Sequence, residues 1–244
     1  LAACAPTWAG EDEDKARAVL EQQQKAVVTV QLVVKEKVSG FGGGGRENES
    51  KQEITGTVIN ADGLTVVALS DTDRSAMFAN FVPDDMADKF KVESSINDVK
   101  ILQDDGTEIE AGVVLRDKDL DLAFVRPKAK PEKPLAFVDL TQNTAARVLD
   151  KIVVINRLGK VANRTASASF EYIEALVSKP RTFYFPSNAV TMSGTGAPAF
   201  TLDGKVIGVF VTRTIADKAG GRFDPARSAA VVVLPAGDIQ DGAT

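Results

Sequence analysis

The chain has 244 residues, 44% of them hydrophobic, and its 29 basic and 34 acidic side chains leave a net charge of −5. That apolar share is enough for a sizeable core and excludes wholesale disorder, while the acidic balance argues against a nucleic-acid partner, whose binding surface carries a basic excess. Histidine is absent and Cys4 is the only cysteine. An intrachain disulfide is therefore excluded, and a zinc site would have to use carboxylates alone, which zinc sites rarely do. No motif implies a cofactor.

Residues 1–10 differ in character from the rest of the chain. Leu1-Ala2-Ala3-Cys4 resembles a bacterial lipobox, in which Cys4 would carry a lipid anchor, whereas Thr7-Trp8-Ala9 before Gly10 fits an ordinary small-residue cleavage site. Both place the mature protein outside the cytoplasm, in the periplasm, on the envelope or secreted. The alternative is a disordered alanine-rich tail. No stretch approaches the ~18 apolar residues of a membrane span.

Residues 11–25 are charged and rich in helix formers, with Ala16, Val19 and Leu20 as a short apolar stripe, and predict a helix that packs on the body of the fold. From Ala26 the pattern turns to β-branched runs: Ala26 to Lys37, Glu53 to Asn60, Leu64 to Leu69, Val99 to Gln103, Gly112 to Arg116 and Leu120 to Arg126. Further runs are Lys151 to Asn156, Thr182 to Phe185, Lys205 to Thr212 and Ser228 to Leu234. Turn signals such as Ala61-Asp62-Gly63, Asp104-Asp105-Gly106 and Leu202-Asp203-Gly204 separate them. Many short strands without helical periods between them predict an all-β sandwich or barrel. Gly42 to Gly45 reads as a flexible loop, and no Gly-Lys-Ser/Thr comes after it to make it a phosphate cradle. Asp71 to Asn97 is polar, with Phe78, Phe81, Met86 and Phe90 near helical spacing, and predicts one or two short helices. The charged, proline-rich run Lys128 to Pro134 marks a connection between two halves.

Three segments carry a family resemblance, in order. Gly56 to Ser70 ends where a catalytic histidine would stand, at Ser70. Asp104 to Val125 contains Asp121-Leu122-Ala123, at the position of a triad aspartate. Ser193-Gly194-Thr195-Gly196-Ala197-Pro198 matches a G-N-S-G-G-P nucleophile loop, with Thr195 in the place of the serine. Val148 to Gly159 and Ala229 to Pro235 fill in as strands of a second barrel. Together they resemble the chymotrypsin-like serine proteases of HtrA (Deg) type across residues 26 to 241. The resemblance implies two six-stranded β-barrels, about 26–127 and 135–241, and peptide-bond hydrolysis at Ser70, Asp121 and Thr195, with Ser193, Gly194 and Thr195 at the oxyanion-hole positions.

The departures from that pattern bear on the chemistry. In the triad the histidine takes the hydroxyl proton and returns it to the leaving group, and the aspartate only orients it. A serine at position 70 offers no base near neutral pH. Losing the base costs a serine protease about 2 × 10⁶ in turnover, roughly 8 to 9 kcal/mol of barrier. Ser193 and Ala197 also stand where the family has glycine, which puts the oxyanion hole in doubt. The pattern fits a retired catalytic centre that binds protein or peptide ligands. An active endopeptidase with Thr195 or Ser193 as nucleophile and an unrecognised base, such as a desolvated lysine, is the second alternative, and a structural envelope protein the third.

Overall fold

A computed structural model of the chain describes residues 10–40, 43–72, 90–187, 194–214 and 229–243. Among these residues a helix, α1 (Glu11–Gln23), leads into twelve strands. The first six are β1 (Val27–Gly40), β2 (Gly43–Val58), β3 (Thr65–Ala68), β4 (Phe90–Leu102), β5 (Glu108–Asp117) and β6 (Leu122–Pro127). They close an antiparallel barrel in the order β1-β2-β3-β6-β5-β4. The second six are β7 (Lys151–Arg157), β8 (Ala166–Val177), β9 (Phe183–Pro186), β10 (Pro198–Phe200), β11 (Val206–Thr214) and β12 (Ala229–Pro235), closed as β10-β11-β12-β9-β8-β7. Two short helices, α2 (Leu69–Thr72) and α3 (Ala236–Gly242), come directly after β3 and β12. The expected pair of six-stranded barrels with a leading helix is therefore what the chain forms, and no described helix is long and apolar enough to cross a membrane.

Period-two alternation explains how two barrels share one core. Val28, Val30 and Leu32 of β1 fill the first barrel with Val67, Ile101 and Val125. Ile152 and Val154 of β7 fill the second with Ile173, Ile207 and Val233. The intervening residues Val27, Val66, Val153, Ile155, Val232 and Leu234 point the other way and form a third cluster between the barrels. Both faces of these strands are thus buried, which is why they read as continuous apolar runs. Helix α1 adds Ala16 and Val19 to the shared cluster, and Lys151 ties it down through Asp12 at 2.9 Å while lying over the Phe170 ring.

Polar contacts fix the same interface. Arg157 of β7 donates to the carbonyls of Val27 and Gln24, and Arg164 pairs with Glu53 of β2 through both carboxylate oxygens. That guanidinium holds the Glu53 carboxyl below the usual carboxylate range.

Several sequence expectations change. Gly43–Gly45 are not loop but the start of β2, whose ladder with β1 runs through Val38↔Arg46 to Gly40↔Gly43 across a bulge; Gly42 lies outside the described residues. Cross-strand hydrogen bonding there outweighs the low strand propensity of glycine. Phe90 begins strand β4 rather than completing a helical stripe, because Lys91 to Ile96 continue the β1 pairing. Phe78, Phe81 and Met86 lie outside the described residues, as do Cys4 and Ser193. Strands β8 and β10 were not expected at all.

Candidate functional site

Helix α2 begins directly after β3, where the Leu69 amide donates to the Asp121 carbonyl at 2.8 Å. This brings Ser70 onto Asp121. Asp121 precedes β6 with φ +55, a left-handed conformation that aspartate tolerates better than most residues. Its carboxyl accepts three hydrogen bonds: from the Ser70 amide at 2.8 Å, from the Ser70 hydroxyl at 3.0 Å, and from the Thr212 amide of β11 at 2.7 Å. The third donor belongs to the second barrel, so Asp121 joins the two barrels as well as the α2 turn.

Burial pushes the Asp121 carboxyl up to about 7, against these three donors, which favour the ionised form, and with a small push from the charge of Asp71. Desolvation wins because the group sits on the shared core, beside the buried Leu120 and Leu122.

Thr195 lies elsewhere in the same region. Gly194 to Ala197 form a tight turn closed by the Ala197 amide on the Gly194 carbonyl at 3.1 Å, with Gly196 at φ +83. That is the type II arrangement, which calls for glycine at its third position. Close approach demands it too, since a Cβ on Gly196 would stand 2.1 Å from the Thr55 carbonyl oxygen. Thr57 donates to the Gly196 carbonyl at 2.8 Å and locks the turn against the first barrel.

The Thr195 hydroxyl donates to Asp71, with Oγ1 and Oδ2 2.5 Å apart. Asp71 is the residue after Ser70 on α2, and the sequence offered it only as the first residue of a polar segment. Thr195 is 4% exposed, so its hydroxyl is reached only from one side. There it lines a cleft of about 510 Å³ with Asp71, Glu53, Thr55 and Asn156. Thr55 donates to the Asn156 side-chain oxygen across that cleft.

The site residues thus separate into two hydroxyl–carboxylate pairs, Ser70 with Asp121 and Thr195 with Asp71. Ser193 lies outside the described residues, which leaves Gly194 and Thr195 as the described members of the oxyanion-hole set. Position in the chain was the available signal for Asp71, one residue beyond the place of the histidine.

A second cleft, of about 410 Å³, has Asp121 in its lining. It is bounded by the turn before β6, the segment entering β9 and the end of β11.

The family model for the trypsin-like peptidase domain matches residues 17–209. The chain belongs to that family. Two relatives, each named a probable periplasmic serine endoprotease DegP-like, come from Rickettsia conorii (strain ATCC VR-613 / Malish 7) and Rickettsia prowazekii (strain Madrid E). Each is 30% identical to this trypsin-like peptidase domain over 126 residues, 49% of this chain and 24% of the relative. The chain therefore spans about a quarter of the length of these relatives. Among solved structures, the MamO protease domain from Magnetospirillum magneticum in its apo form aligns with a TM-score of 0.54 at 14% identity, over 91% of this chain and 97% of that one. At that identity the likeness is one of fold. The trypsin-like, HtrA-type fold expected from the motifs is therefore the fold of this peptidase-family domain.

Proposed function

We propose that this domain is a pseudoprotease that binds extended peptide segments outside the cytoplasm without cutting them. The observation that carries the reading is the commitment of Asp121. In a working triad this carboxylate orients an imidazole; here it is spent on Ser70 and Thr212, and the chain contains no histidine. Ser70 accepts no proton near neutral pH, so the relay has no middle member.

Peptide binding is supported by the edge of β11. Strand β12 pairs with β11 as far as Thr214, but on the other side β10 stops at Val209. Beyond Phe210 that edge has no strand partner among the described residues, apart from the Thr212 amide held by Asp121. An extended peptide added there would gain main-chain hydrogen bonds. The periplasmic naming of the Rickettsia relatives and the lipobox-like Leu1 to Cys4 support an extracytoplasmic location, with Cys4 as the lipid anchor.

One observation favours a second reading. Asp71 touches the Thr195 hydroxyl and is a carboxylate base in the right place to accept its proton, which would give a weak threonine-type hydrolase without histidine.

Incubation with unfolded proteins and peptides separates the readings. The pseudoprotease binds them saturably and returns them intact. Product peptides whose formation is lost in both Thr195→Ala and Asp71→Asn would establish the hydrolase instead, and the absence of saturable binding would leave a structural role.

A further inference from the structure

The described arginines and lysines near the site divide into two groups. Arg164 is taken up by Glu53 and Arg157 by backbone carbonyls. Lys118, Arg181 and Arg213, in contrast, make no ion pair among the described residues, and all three line the 410 Å³ cleft beside Asp121. They come from three segments far apart in sequence, converging on one opening in a chain of net charge −5.

The cleft is built to keep these charges available. The Arg213 guanidinium lies 4.4 Å from the centre of the Phe183 ring, a contact that holds it in place while leaving its donors unused. Two acids share the lining, Asp119 and Asp121, and Asp121 already accepts the Thr212 amide and both Ser70 donors. Arg213 is also the residue after Thr212 on the stretch of β11 whose outer edge lacks a strand partner among the described residues, so a peptide added along that edge would run its side chains into the cleft.

We propose that this cleft selects acidic segments of an extended peptide, with Arg213, Arg181 and Lys118 pairing to its Asp and Glu side chains. The inference rests on the peptide-binding reading of the domain. A planar guanidinium with unused donors suits a carboxylate through two parallel hydrogen bonds. A nucleic acid fits less well, because the three cations are confined to one cleft of about 410 Å³ rather than spread over the basic surface that a phosphate backbone calls for.

The test uses fluorescent peptides of one length whose variable positions are all Glu, all Gln or all Lys, with binding to the whole chain followed by anisotropy at low and physiological salt. The Glu peptide is expected to bind about tenfold more tightly than the Gln peptide at low salt, with the margin narrowing as salt rises. Lys118→Glu, at an exposed position, should cut the Glu-peptide affinity about three- to tenfold and leave the Gln peptide unchanged. Arg213→Gln should act in the same direction, with circular dichroism confirming that the fold survives loss of the Phe183 contact.

Equal affinity for Glu and Gln peptides would overturn the charge selection while leaving peptide binding in place. Binding of none of the three would overturn the peptide-binding reading itself. An oligonucleotide that displaces the Glu peptide at lower concentration than the unlabelled peptide does would also overturn the proposal, in favour of a polyanion site.

Discussion

The Ser70–Asp121 and Thr195–Asp71 pairs are chemically alike, each a hydroxyl on a carboxylate beside a cleft, yet they are held differently. Asp121 borders the 410 Å³ cleft, but its carboxyl accepts three donors and ties β11 of the second barrel to α2 of the first. Asp71 meets Thr195 at the wall of a cleft of about 510 Å³. A largely desolvated carboxyl that accepts two main-chain amides and a hydroxyl acts as a structural joint, because removing it strands those donors. A carboxylate at a cleft wall leaves room for a ligand to displace its partner. Where the triad of a serine protease runs one relay through three residues, Asp121 and Thr195 here belong to two separate hydroxyl–carboxylate pairs.

That contrast is open to attack, and the largest effect is expected at Gly196. Ala there must occupy φ +83 with its Cβ on the Thr55 carbonyl, so Gly196→Ala should cost on the order of 3–5 kcal/mol in denaturant unfolding. It should also move Thr195 off Asp71. Asp121→Ala should come next at about 2–5 kcal/mol, since the Ser70 and Thr212 amides lose their acceptor. Asp71→Ala, which removes the acceptor of the Thr195 hydroxyl at the cleft, should cost about 1–2 kcal/mol by the same measurement. Equal losses for the two aspartates would erase the distinction between joint and cleft.

The pH dependence of stability distinguishes the pairs more finely. Asp121 titrates near 3.9 in an unfolded chain and at about 7 in the fold. The folded state therefore holds this proton more tightly. Its contribution to stability is full below about pH 4, declines by ~1.4 kcal/mol per unit up to about pH 7, and is flat above that. Between pH 5 and pH 8 the wild type should lose stability relative to Asp121→Asn, read as the difference between their melting temperatures. A constant difference across that range would contradict the burial of Asp121. The smallest effect is expected for Thr195→Ser, which keeps the hydroxyl on Asp71 and should change stability by no more than about 1 kcal/mol.

The barrels were largely legible in the sequence because strands such as β1, β7 and β12 are buried on both faces and announce themselves as apolar runs. Strand β8 escaped notice for the opposite reason: of its twelve residues only Ile173 is buried, and the alternation from Ala166 to Tyr172 begins with alanines and serines, which give it little hydrophobic contrast. Strand β10 has three residues and begins at Pro198, hidden within the loop motif. At the site, counting from Gly63 leads to Ser70 and Leu-Ala leads back to Asp121, and the fold brings those two together. Asp71 could not be weighed that way, since its partner lies 124 positions away. The cations of the second cleft are likewise scattered at 118, 181 and 213, and only barrel closure assembles them.

Reaction with a fluorophosphonate across pH 4 to pH 9, monitored by intact-mass spectrometry, tests the proposed loss of catalysis most directly. Such a reagent reports an activated hydroxyl without requiring any particular substrate. No adduct is expected on the wild type at any pH in that range. A stoichiometric adduct on Thr195, abolished by Asp71→Asn, would contradict that loss and make Asp71 the working base of an active enzyme.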